Sequence, residues 1–444
     1  MNDLDRLTAQ SSPAGFAWVA EGCNRGAPTE GWRPFQHLML LSDKLMQVAA
    51  GDCKRLIVTT PPRHGKSQMI SQYFPAWYLG TFPRRQVILA SNTATLAYGF
   101  SRSARNVLTE LGPEIFGVSV RDDSRAADRW HTTEGGVLIA AGVGGPLTGR
   151  GAHCLIIDDP IKNSEEAHSE TIREKQWEWW QSTARTRLMR DASVVVVLTR
   201  WHEDDLAGKL MRQADEQPGA DEWELLNLPA FAEEGDALGR AEGEPLCPEL
   251  ISQDELEATR ASTSSYWWGA MYMQRPTPDE GGIFHRDWFR YWRDPSEFQV
   301  QRLAQSWDLS FKDGDGSDYV AGQLWGCDQA ERILLAQIHA RLDFPSTLRA
   351  IRAMREYATA HWPQFASHAV YVEDAANGPA VIQSLRRELS GIQGVRPDGG
   401  KIARAHNIAH IPEARQVLLP EGLVPAPEGY ERTRVDVLLD ELAG

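Results

Sequence analysis

Five short apolar runs, separated by longer helical patterns, occupy the first 200 residues of the chain. The runs cover residues 55–60, 86–91, 135–142, 153–158 and 193–200. Each run has the length of one strand, and the segments between them, such as residues 91–111 and 164–190, are long enough for crossover helices. Strands that alternate with helices form a mainly parallel sheet with helices on its faces. The sequence therefore predicts an α/β domain here.

The composition excludes a disordered chain and an integral membrane protein. Hydrophobic residues make up 42% and charged residues 24% of the 444 residues, which is ordinary for a globular chain of several domains. The apolar run of residues 194–198 is too short to cross a bilayer, and the N-terminus lacks the basic start and apolar stretch of an export signal. We therefore expect no membrane contact and a cytoplasmic location.

The cysteine pattern and the net charge argue against further classes of function. Five cysteines are scattered without a CxxC pair, which argues against a disulfide framework and against a thiolate zinc site. The net charge of -15 argues against a protein that coats nucleic acid through bulk electrostatics. A local basic groove remains compatible with this charge.

The most specific motif is Thr60-Pro-Pro-Arg-His-Gly-Lys-Ser67, directly after a strand pattern. A loop between a strand and a helix binds phosphates through backbone N–H groups and the helix N-terminus. In such a loop Lys66 reaches the β- and γ-phosphates of ATP, and Ser67 holds Mg²⁺. The other ATP-binding candidates within the loop are Arg63, His64 and Gly65. Because Thr60 replaces the first Gly of GxxxxGK[ST], the alternative is an ordinary strand-to-helix turn that contains Gly-Lys-Ser.

Two carboxylates, Asp158 and Asp159, end the apolar strand pattern HCLIIDDP. A buried strand that ends in this way delivers its first carboxylate to Mg²⁺ and its second to the attacking water. We predict these roles for Asp158 and Asp159, although a Glu is more usual at the second place. The alternative is that both residues cap the turn that follows.

Three further residues are weaker candidates for the nucleotide site. Gln36, in WRPFQ, has the groups to hydrogen-bond an adenine edge, and an exposed Gln on a helix is the alternative. Arg63 has the charge to stabilise phosphoryl oxygens, or it projects into solvent. Thr199-Arg200 ends a strand where a parallel sheet presents a γ-phosphate sensor. The alternative for Arg200 is a salt bridge with the acidic residues 203–205.

A second α/β domain is predicted after the proline-rich stretch RPTPDEGG, residues 275–282. Three strand patterns, QSWDLS, DYVAGQLWG and RILLAQIHA, precede a helix from about Pro345, the strand HAVYVED and a helix after Gly378. A β-meander followed by α, β and α predicts an RNase H-like sheet. The predicted organisation is a first domain at residues 1–274, a linker at 275–294 and a second domain at 295–444.

Asp308 in SWDLS and Glu373 in VYVED are the candidate metal ligands of this second sheet. A carboxylate within a strand is costly to bury unless a metal or a cation compensates its charge. Two divalent ions held by such acids activate water and stabilise the leaving oxygen of a phosphodiester. Asp318 is a further candidate ligand, and strand-end acids that face solvent are the alternative. Residues 312–316 lack the spacing of an EF-hand loop, which excludes a calcium site of that type.

In their order, these motifs resemble the large subunit of tailed-phage terminases of the prophage type, across nearly the full length. WRPFQ resembles the adenine-side Q motif of this family, PPRHGKS its deviant P-loop with an internal Arg63, and LIIDDP its Walker B strand. SWDLS and VYVEDAANG resemble the first two acidic motifs of its nuclease domain. The resemblance implies an N-terminal P-loop ATPase of the ASCE type and a C-terminal RNase H-like nuclease.

The resemblance also implies an activity, cofactors and partners. The activity is ATP-driven translocation of viral double-stranded DNA into procapsids, with metal-dependent cutting of concatemeric DNA. The residues that it assigns to ATP hydrolysis are Lys66, Ser67, Asp158 and Asp159, assisted by Gln36 and Arg63. Asp308 and Glu373 would hold the nuclease metals, Mg²⁺ or Mn²⁺, and Lys401 would contact a DNA phosphate unless it is a solvated surface lysine. The implied partners are a terminase small subunit, the portal protein and further copies of the chain in a ring.

One departure from the family concerns the end of the sequence. In the family, a helix that resembles VDVLLDELAG precedes a His-Asp-Asp motif with the last metal ligand, and this sequence stops at Gly444 before such a motif. We therefore expect a truncated nuclease domain with weak or absent cleavage. The alternatives to a packaging motor are a helicase or repair-type DNA-dependent ATPase with an inactive RNase H-like domain, and a non-enzymatic scaffold.

Overall fold

The computed structural model describes residues 1–23, 32–147, 149, 151–277, 283–309, 319–374, 378–397 and 400–443. The chain divides into two units, Met1–Pro278 and Asp279–Gly444. This division falls inside the linker predicted at residues 275–294. In the described part of the chain, no helix is both long enough and apolar enough to cross a membrane.

The first unit alternates helices with strands, as the apolar runs predict. Its helices are α1 (Asp3–Ser11), α2 (Pro13–Ala20), α3 (Gln36–Ala50), α4 (Phe74–Thr81), α5 (Ala94–Ile115), α6 (Ser164–His168), α7 (Glu170–Trp179), α8 (Leu206–Glu216), α9 (Gln253–Ala261) and α10 (Ser265–Trp267). Its strands are β1 (Arg55–Thr59), β2 (Gln86–Ser91), β3 (Val120–Arg125), β4 (Arg129–Thr132), β5 (Val137–Gly142), β6 (Ala152–Asp158), β7 (Leu188–Leu198) and β8 (Glu224–Asn227). A π-helical segment, Gln68–Tyr73, leads into α4.

The strands of the first unit form one sheet in the order β3-β4-β5-β2-β6-β7-β1-β8. All neighbours from β5 to β8 pair in parallel, and only the β3–β4 and β4–β5 pairs are antiparallel. One strand, β7, lies between β1, which precedes the phosphate-loop motif, and β6, which ends in Asp158. This arrangement confirms the predicted α/β fold of the ASCE type.

The central strands are apolar on both faces because helices cover both sides of the sheet. All residues from Val194 to Leu198 of β7 are buried, and β-branched side chains such as these pack well on a pleated surface. In the ladder, Thr59 pairs with Leu198, and Asp158 pairs with Val197. The carboxyl ends of β1, β6 and β7 therefore meet at one edge of the sheet, where open parallel sheets bind ligands.

The second unit contains a seven-stranded sheet in the order β14-β13-β10-β11-β12-β15-β9 and a small hairpin, β16–β17. Its strands are β9 (Arg290–Trp292), β10 (Arg302–Leu309), β11 (Val320–Asp328), β12 (Glu331–Ala340), β13 (Ala369–Glu373), β14 (Ile392–Val395), β15 (Val417–Pro420), β16 (Leu423–Val424) and β17 (Thr433–Arg434). Its helices are α11 (Phe344–His361), α12 (Gly378–Leu385), α13 (Lys401–Ile408), α14 (His410–Glu413) and α15 (Val435–Ala443). The antiparallel β10–β11–β12 meander, with β13 parallel to β10, confirms the RNase H-like prediction.

Residues 283–292, which the sequence places in a linker, belong to the fold of the second unit. Phe284 and Phe289 are buried together with Leu419 and Leu439. Strand β9 pairs in parallel with β15, with Tyr291 opposite Leu419. Aromatic residues here add an edge strand to the sheet, so the linker is shorter than the predicted range of 275–294.

Strand β10 has one buried face and one open face. Gln305, Trp307 and Leu309 are buried, and Trp307 packs in a cluster with Ile351 of α11. The intervening residues include Ser306 and Asp308, which are exposed. This alternation places the candidate metal ligand on the face of the sheet that is open to solvent.

Candidate functional site

The loop of residues 60–67 turns the chain sharply between β1 and a helical segment that begins at Lys66. Arg63 has a φ of 66° and Gly65 a φ of 77°, so both adopt the left-handed backbone conformation. Glycine adopts this conformation without steric cost, whereas an arginine does not. Turns of this type aim successive N–H groups at one point and form an anion-binding nest. The loop therefore has the backbone geometry of a phosphate site, and the exposed Arg63 side chain lines the cavity beside it.

Lys66 joins three segments of the site. Its side chain is buried, and its Nζ lies 3.2 Å from Asp159 Oδ2. The same Nζ donates a hydrogen bond to Thr199 Oγ1, at the end of β7. Thr199 Oγ1 in turn donates to the carbonyl oxygen of Thr60, 3.3 Å away. The predicted loop, the Asp158-Asp159 pair and the Thr199-Arg200 segment thus meet at one ammonium group.

Asp158 is held by two serines of the segment that follows the loop. Ser67 Oγ donates to Asp158 Oδ1 at 3.0 Å, and Ser71 Oγ donates to Oδ2 at 2.6 Å. The carboxyl is 1% exposed, and this burial, together with the negative charge of Asp159, raises the pKa of Asp158 above its ordinary value. Hydroxyl and carboxylate oxygens are ligands that Mg²⁺ prefers. The Ser67–Asp158 pair therefore fits a magnesium ion.

Asp159 occupies a left-handed position, with a φ of 42°, just past the end of β6. Its N–H donates to Val197 O at 2.8 Å, and its carbonyl oxygen accepts from Asn92 Nδ2 at 3.0 Å. Its carboxylate accepts from the Thr199 N–H at 2.9 Å. These bonds fix the carboxylate beside Lys66, where it lines the cavity next to the loop.

A cavity of about 420 Å³ opens beside the loop. Its volume lies within the usual range for small-molecule sites. The residues that line it include Lys66, Ser67 and Asp159 from the predicted set. They also include Asn92, Lys162 and Trp201, which the sequence analysis does not single out. The only sequence signal for Lys162 is that it is a charged residue shortly after Asp159. The only signal for Asn92 is that it is a polar residue at the end of β2.

His64 and Gln36, two further predicted ATP-binding residues, lie on either side of the junction between the loop and α3. The His64 side chain is buried, and its Nδ1 donates to Pro62 O at 2.8 Å, so it shapes the loop. His37 Nε2 donates to His64 O at 2.9 Å, which ties α3 to the loop. Burial lowers the pKa of His37 to about 4 and also lowers the pKa of His64. Gln36 is exposed at the start of α3, next to His37.

Arg200 forms the salt bridge that the sequence analysis gives as its alternative. Its Nε donates to Asp205 Oδ2 at 2.7 Å, and both side chains are buried. Its backbone N–H donates to Gln274 Oε1 at 3.1 Å. The guanidinium is therefore engaged with Asp205, whereas Thr199, the other residue of this segment, lines the cavity and contacts Lys66 through its hydroxyl.

The two candidate acids of the second unit lie on adjacent parallel strands. Trp307 of β10 pairs with Val372 of β13, so Asp308 and Glu373 are the next residues in register. Both acids occupy solvent-accessible positions in the alternating burial pattern of their strands. They therefore lie side by side on the open face. The premise that Asp308 is buried is wrong, because the open face exposes it. Two carboxylates that are this close and solvent-accessible fit shared divalent ions.

Asp318 and Lys401 are the other predicted site residues of the second unit. Asp318 lies outside the described residues. Lys401 is the first residue of α13, and its side chain is exposed. Among the residues that the structure describes, no group of three or more His, Cys, Asp or Glu side chains is gathered for a metal. His339 of β12 pairs with Ala321, which pairs with Asp308, so this residue missed by the sequence analysis lies in the same cross-strand row.

Together, the two units define a P-loop NTPase linked to an RNase H-like domain. Residues 57–291 match the family model described as terminase large subunit, T4likevirus-type, N-terminal, and residues 305–433 match the model of the terminase RNaseH-like domain. The chain belongs to the family of terminase large subunits. This family packages and cuts phage DNA, so the helicase or repair alternative is not supported.

Several solved structures are similar to this chain. The large terminase of a thermophilic bacteriophage in complex with ADP is 14% identical, with a TM-score of 0.46, over 85% of this chain and 87% of that chain. The HK97 bacteriophage large terminase is 11% identical, with a TM-score of 0.37, over 88% and 85%. The nuclease domain of the bacteriophage SPP1 large terminase with bound Mn is 14% identical, with a TM-score of 0.23, over 30% and 70%. No curated protein matches the chain.

Proposed function

We propose that this chain hydrolyses ATP to move viral double-stranded DNA into procapsids and cuts concatemeric DNA with a metal-dependent nuclease. The observation that carries the ATPase proposal is the convergence on Lys66. Its ammonium group lies 3.2 Å from Asp159 and contacts Thr199, beside the hydrogen-bonded pair of Ser67 and Asp158. Phosphate binding, magnesium binding and water activation therefore have their groups within one site.

Each group of this site has a separate role in the proposed hydrolysis. The loop N–H groups and Lys66 bind the β- and γ-phosphates and balance their charge. Ser67 and Asp158 hold Mg²⁺, which neutralises charge on the phosphate oxygens when it is bound. Asp159 orients the attacking water, because its carboxylate is fixed by the Thr199 N–H at the cavity. Thr199 links the phosphate end of the site to β7.

The ATPase proposal is tested by replacing Lys66. Steady-state ATP hydrolysis by the full chain is compared for the wild type, Lys66→Ala and Lys54→Ala. Lys54 is an exposed lysine that pairs with Asp191 outside the site, so it controls for the loss of a positive charge. We expect Lys66→Ala to lower kcat by at least about 100-fold, the scale of losing one preorganised charge. Equal turnover by both variants would refute the proposal.

The nuclease proposal rests on the adjacency of Asp308 and Glu373. These acids provide carboxylate oxygens on one exposed face, the donor set for Mg²⁺ or Mn²⁺. When bound there, such ions activate water and stabilise the leaving oxygen of a phosphodiester. The open face admits a polymer that a closed cavity would exclude. The face is therefore open to a polymeric phosphodiester, and the terminase family makes DNA the proposed substrate.

Plasmid cleavage tests the nuclease proposal. Supercoiled DNA is incubated with the full chain and Mg²⁺ or Mn²⁺, beside Asp308→Asn and Asp436→Asn variants. Asp436 is an exposed acid of α15 that pairs with Arg434, so it is a matched control. We expect weak metal-dependent cutting that Asp308→Asn abolishes and Asp436→Asn retains. Cutting that survives in Asp308→Asn would assign it to another site or to a contaminant.

We also infer the partners of the proposed activity. The family supports a terminase small subunit, the portal protein of the procapsid and a ring of copies of this chain, within the cytoplasm of a bacterial host. Packaging of DNA into purified procapsids, measured as protection from nuclease, tests this set. Protection should require ATP, the portal and an intact Lys66.

A further inference from the structure

A cavity of about 640 Å³ opens on the second unit, where β10 begins and β11 ends. The residues of its lining that matter here are Arg302, Trp325, Cys327, Arg332 and Tyr371. The cavity lies at the end of β10 opposite to Asp308 and contains none of the acids assigned to the nuclease. Tyr371 lies in the VYVED pattern, but none of these five residues is a predicted site residue. Two arginines and two large aromatic side chains can bind a ligand that carries negative charge and a flat apolar surface.

The two arginines keep donors available for an anion. Arg302 Nη2 lies 3.5 Å from Cys327 Sγ, and Arg332 Nη1 lies 3.1 Å from the same sulfur. Arg332 Nη1 also donates to Ala330 O at 2.9 Å, which fixes the guanidinium at the β11–β12 turn. Within the described residues, neither guanidinium forms an ion pair with a carboxylate. In a chain of net charge -15, these two positive charges without carboxylate partners create a locally positive region that attracts a phosphate.

The cavity and the nuclease acids lie on the same face of the sheet. Arg302, Ser306 and Asp308 alternate on the exposed face of β10, and Ser306 pairs with Tyr371 of β13. Tyr371 is 39% exposed, so its ring is accessible midway along this face. Six residues of a strand span about 20 Å, which is the distance from Arg302 to Asp308 along β10. Exposed side chains of β10 and β13 therefore lie between the acids and the arginines on this face.

We propose that this cavity is a subsite for the backbone of the DNA strand that the nuclease cuts. Arg302 and Arg332 bind a phosphate, and Tyr371 packs against a sugar or a base between this phosphate and the acids. One DNA strand rises about 3.4 Å per nucleotide along the duplex axis, so a span of about 20 Å corresponds to about six nucleotides. The subsite holds the strand in position along the sheet. Its assignment to the cut strand rests on the proposed nuclease function.

The test is DNA binding by the full chain under conditions without cleavage. Fluorescence anisotropy of a labelled duplex is measured without divalent metal, at several KCl concentrations, in an Asp308→Asn background. We expect Arg302→Gln to weaken binding several-fold and to reduce the slope of log Kd against log salt by about one, the signature of one lost phosphate contact. Arg302→Lys keeps the charge and should retain most of that slope.

Arg352→Gln is the matched control, because Arg352 is a half-exposed arginine of α11 that pairs with Glu388. Thermal unfolding of each variant checks that the fold is retained. Equal affinity and equal salt slope for Arg302→Gln and Arg352→Gln would overturn the subsite. A failure of the nuclease proposal would give a different result. The wild type would then cut no DNA, but Arg302→Gln would still reduce the slope of log Kd against log salt.

Discussion

Ser71 Oγ donates a hydrogen bond of 2.6 Å to Asp158 Oδ2, on the side of the carboxylate opposite to Ser67. The two serines are four residues apart in one helical segment, so their side chains lie on the same face of it. Asp158 is thereby fixed at both oxygens, although it is almost completely buried. Metal-binding carboxylates are commonly oriented by such outer hydrogen bonds. We therefore propose Ser71 as a positioning residue of the proposed magnesium site.

Replacing Ser71 by Ala should weaken magnesium binding. The loss leaves a buried carboxylate oxygen without its donor, a change that costs about 1–3 kcal/mol in general. We expect the Mg²⁺ concentration for half-maximal ATP hydrolysis to rise several-fold, with a smaller change in kcat at saturating Mg²⁺. Ser42→Ala is the control, because Ser42 is also buried and accepts from the Ala14 N–H at 3.0 Å, but does not line the cavity. The same Mg²⁺ dependence in both variants would leave Ser71 with a structural role only.

The nucleotide site was predictable where a motif fixes both residue type and position. Lys66 and Asp158 lie in patterns whose spacing and strand context are visible in the sequence. Ser71 and Asn92 have no such pattern, because their contacts depend on how a π-helical segment and the end of β2 pack around β6. For Arg200 the sequence left two roles open. The buried ion pair with Asp205 favours the structural role.

The Arg200–Asp205 ion pair should be needed for stability rather than for chemistry. Removal of one partner of a buried pair typically costs about 3–5 kcal/mol, since a buried charge is left uncompensated. Arg200→Gln should therefore lower the free energy of unfolding of the first unit by this order. Burial already raises the pKa of Asp205, so loss of the guanidinium favours its protonation further.

The double variant Arg200→Gln, Asp205→Asn distinguishes the two roles. The amide of Asn still caps α8, where Gly208 N–H donates to residue 205 at 2.9 Å, and no charge is buried. We expect most of the lost stability to return in urea titrations, together with ATP hydrolysis within a few-fold of the wild type. A folded double variant without ATP turnover would instead establish Arg200 as the phosphate sensor.

His37 should make the first unit less stable in mild acid. Burial lowers its pKa to about 4, whereas an ordinary histidine has a pKa of 6.5. The unfolded chain therefore binds more protons between these two pH values, and stability falls as the pH decreases through this window. The contribution of one such group is about 1.4 kcal/mol per pH unit at most. Urea titrations at pH values from 7 to about 5 measure it.

His37→Gln is the variant that isolates this effect. Gln keeps a donor for His64 O but does not titrate. We expect the pH dependence of stability of the first unit to become shallower in this variant. A slope that is the same in the wild type and in His37→Gln would mean that other groups carry the acid sensitivity.

The fold of the second unit was also predictable in outline, because its strands alternate clearly. The order of meander, helix and strand appears in the sequence from QSWDLS to HAVYVED. The face on which Asp308 lies was not predictable, since period-two alternation gives two faces without saying which one helices cover. The edge strand β9 was missed because a stretch rich in Pro and Gly precedes it, and its pairing with β15 joins residues far apart in sequence.

Gly322 should be intolerant of any side chain. A Cβ at this position of β11 would lie 2.3 Å from the Trp307 ring. Trp307 is buried and held by a 2.9 Å hydrogen bond from its Nε1 to Gln305 Oε1, so the ring has no room to move. Gly322→Ala should therefore destabilise the second unit by about 1–3 kcal/mol, the usual cost of overpacking a core. Trp307→Leu removes the ring and should be destabilising by itself, and combined with Gly322→Ala it should cost less than the sum of the two changes. Urea titrations of the four proteins give this coupling energy, and strictly additive effects would show that the backbone, and not the ring, excludes a side chain at residue 322.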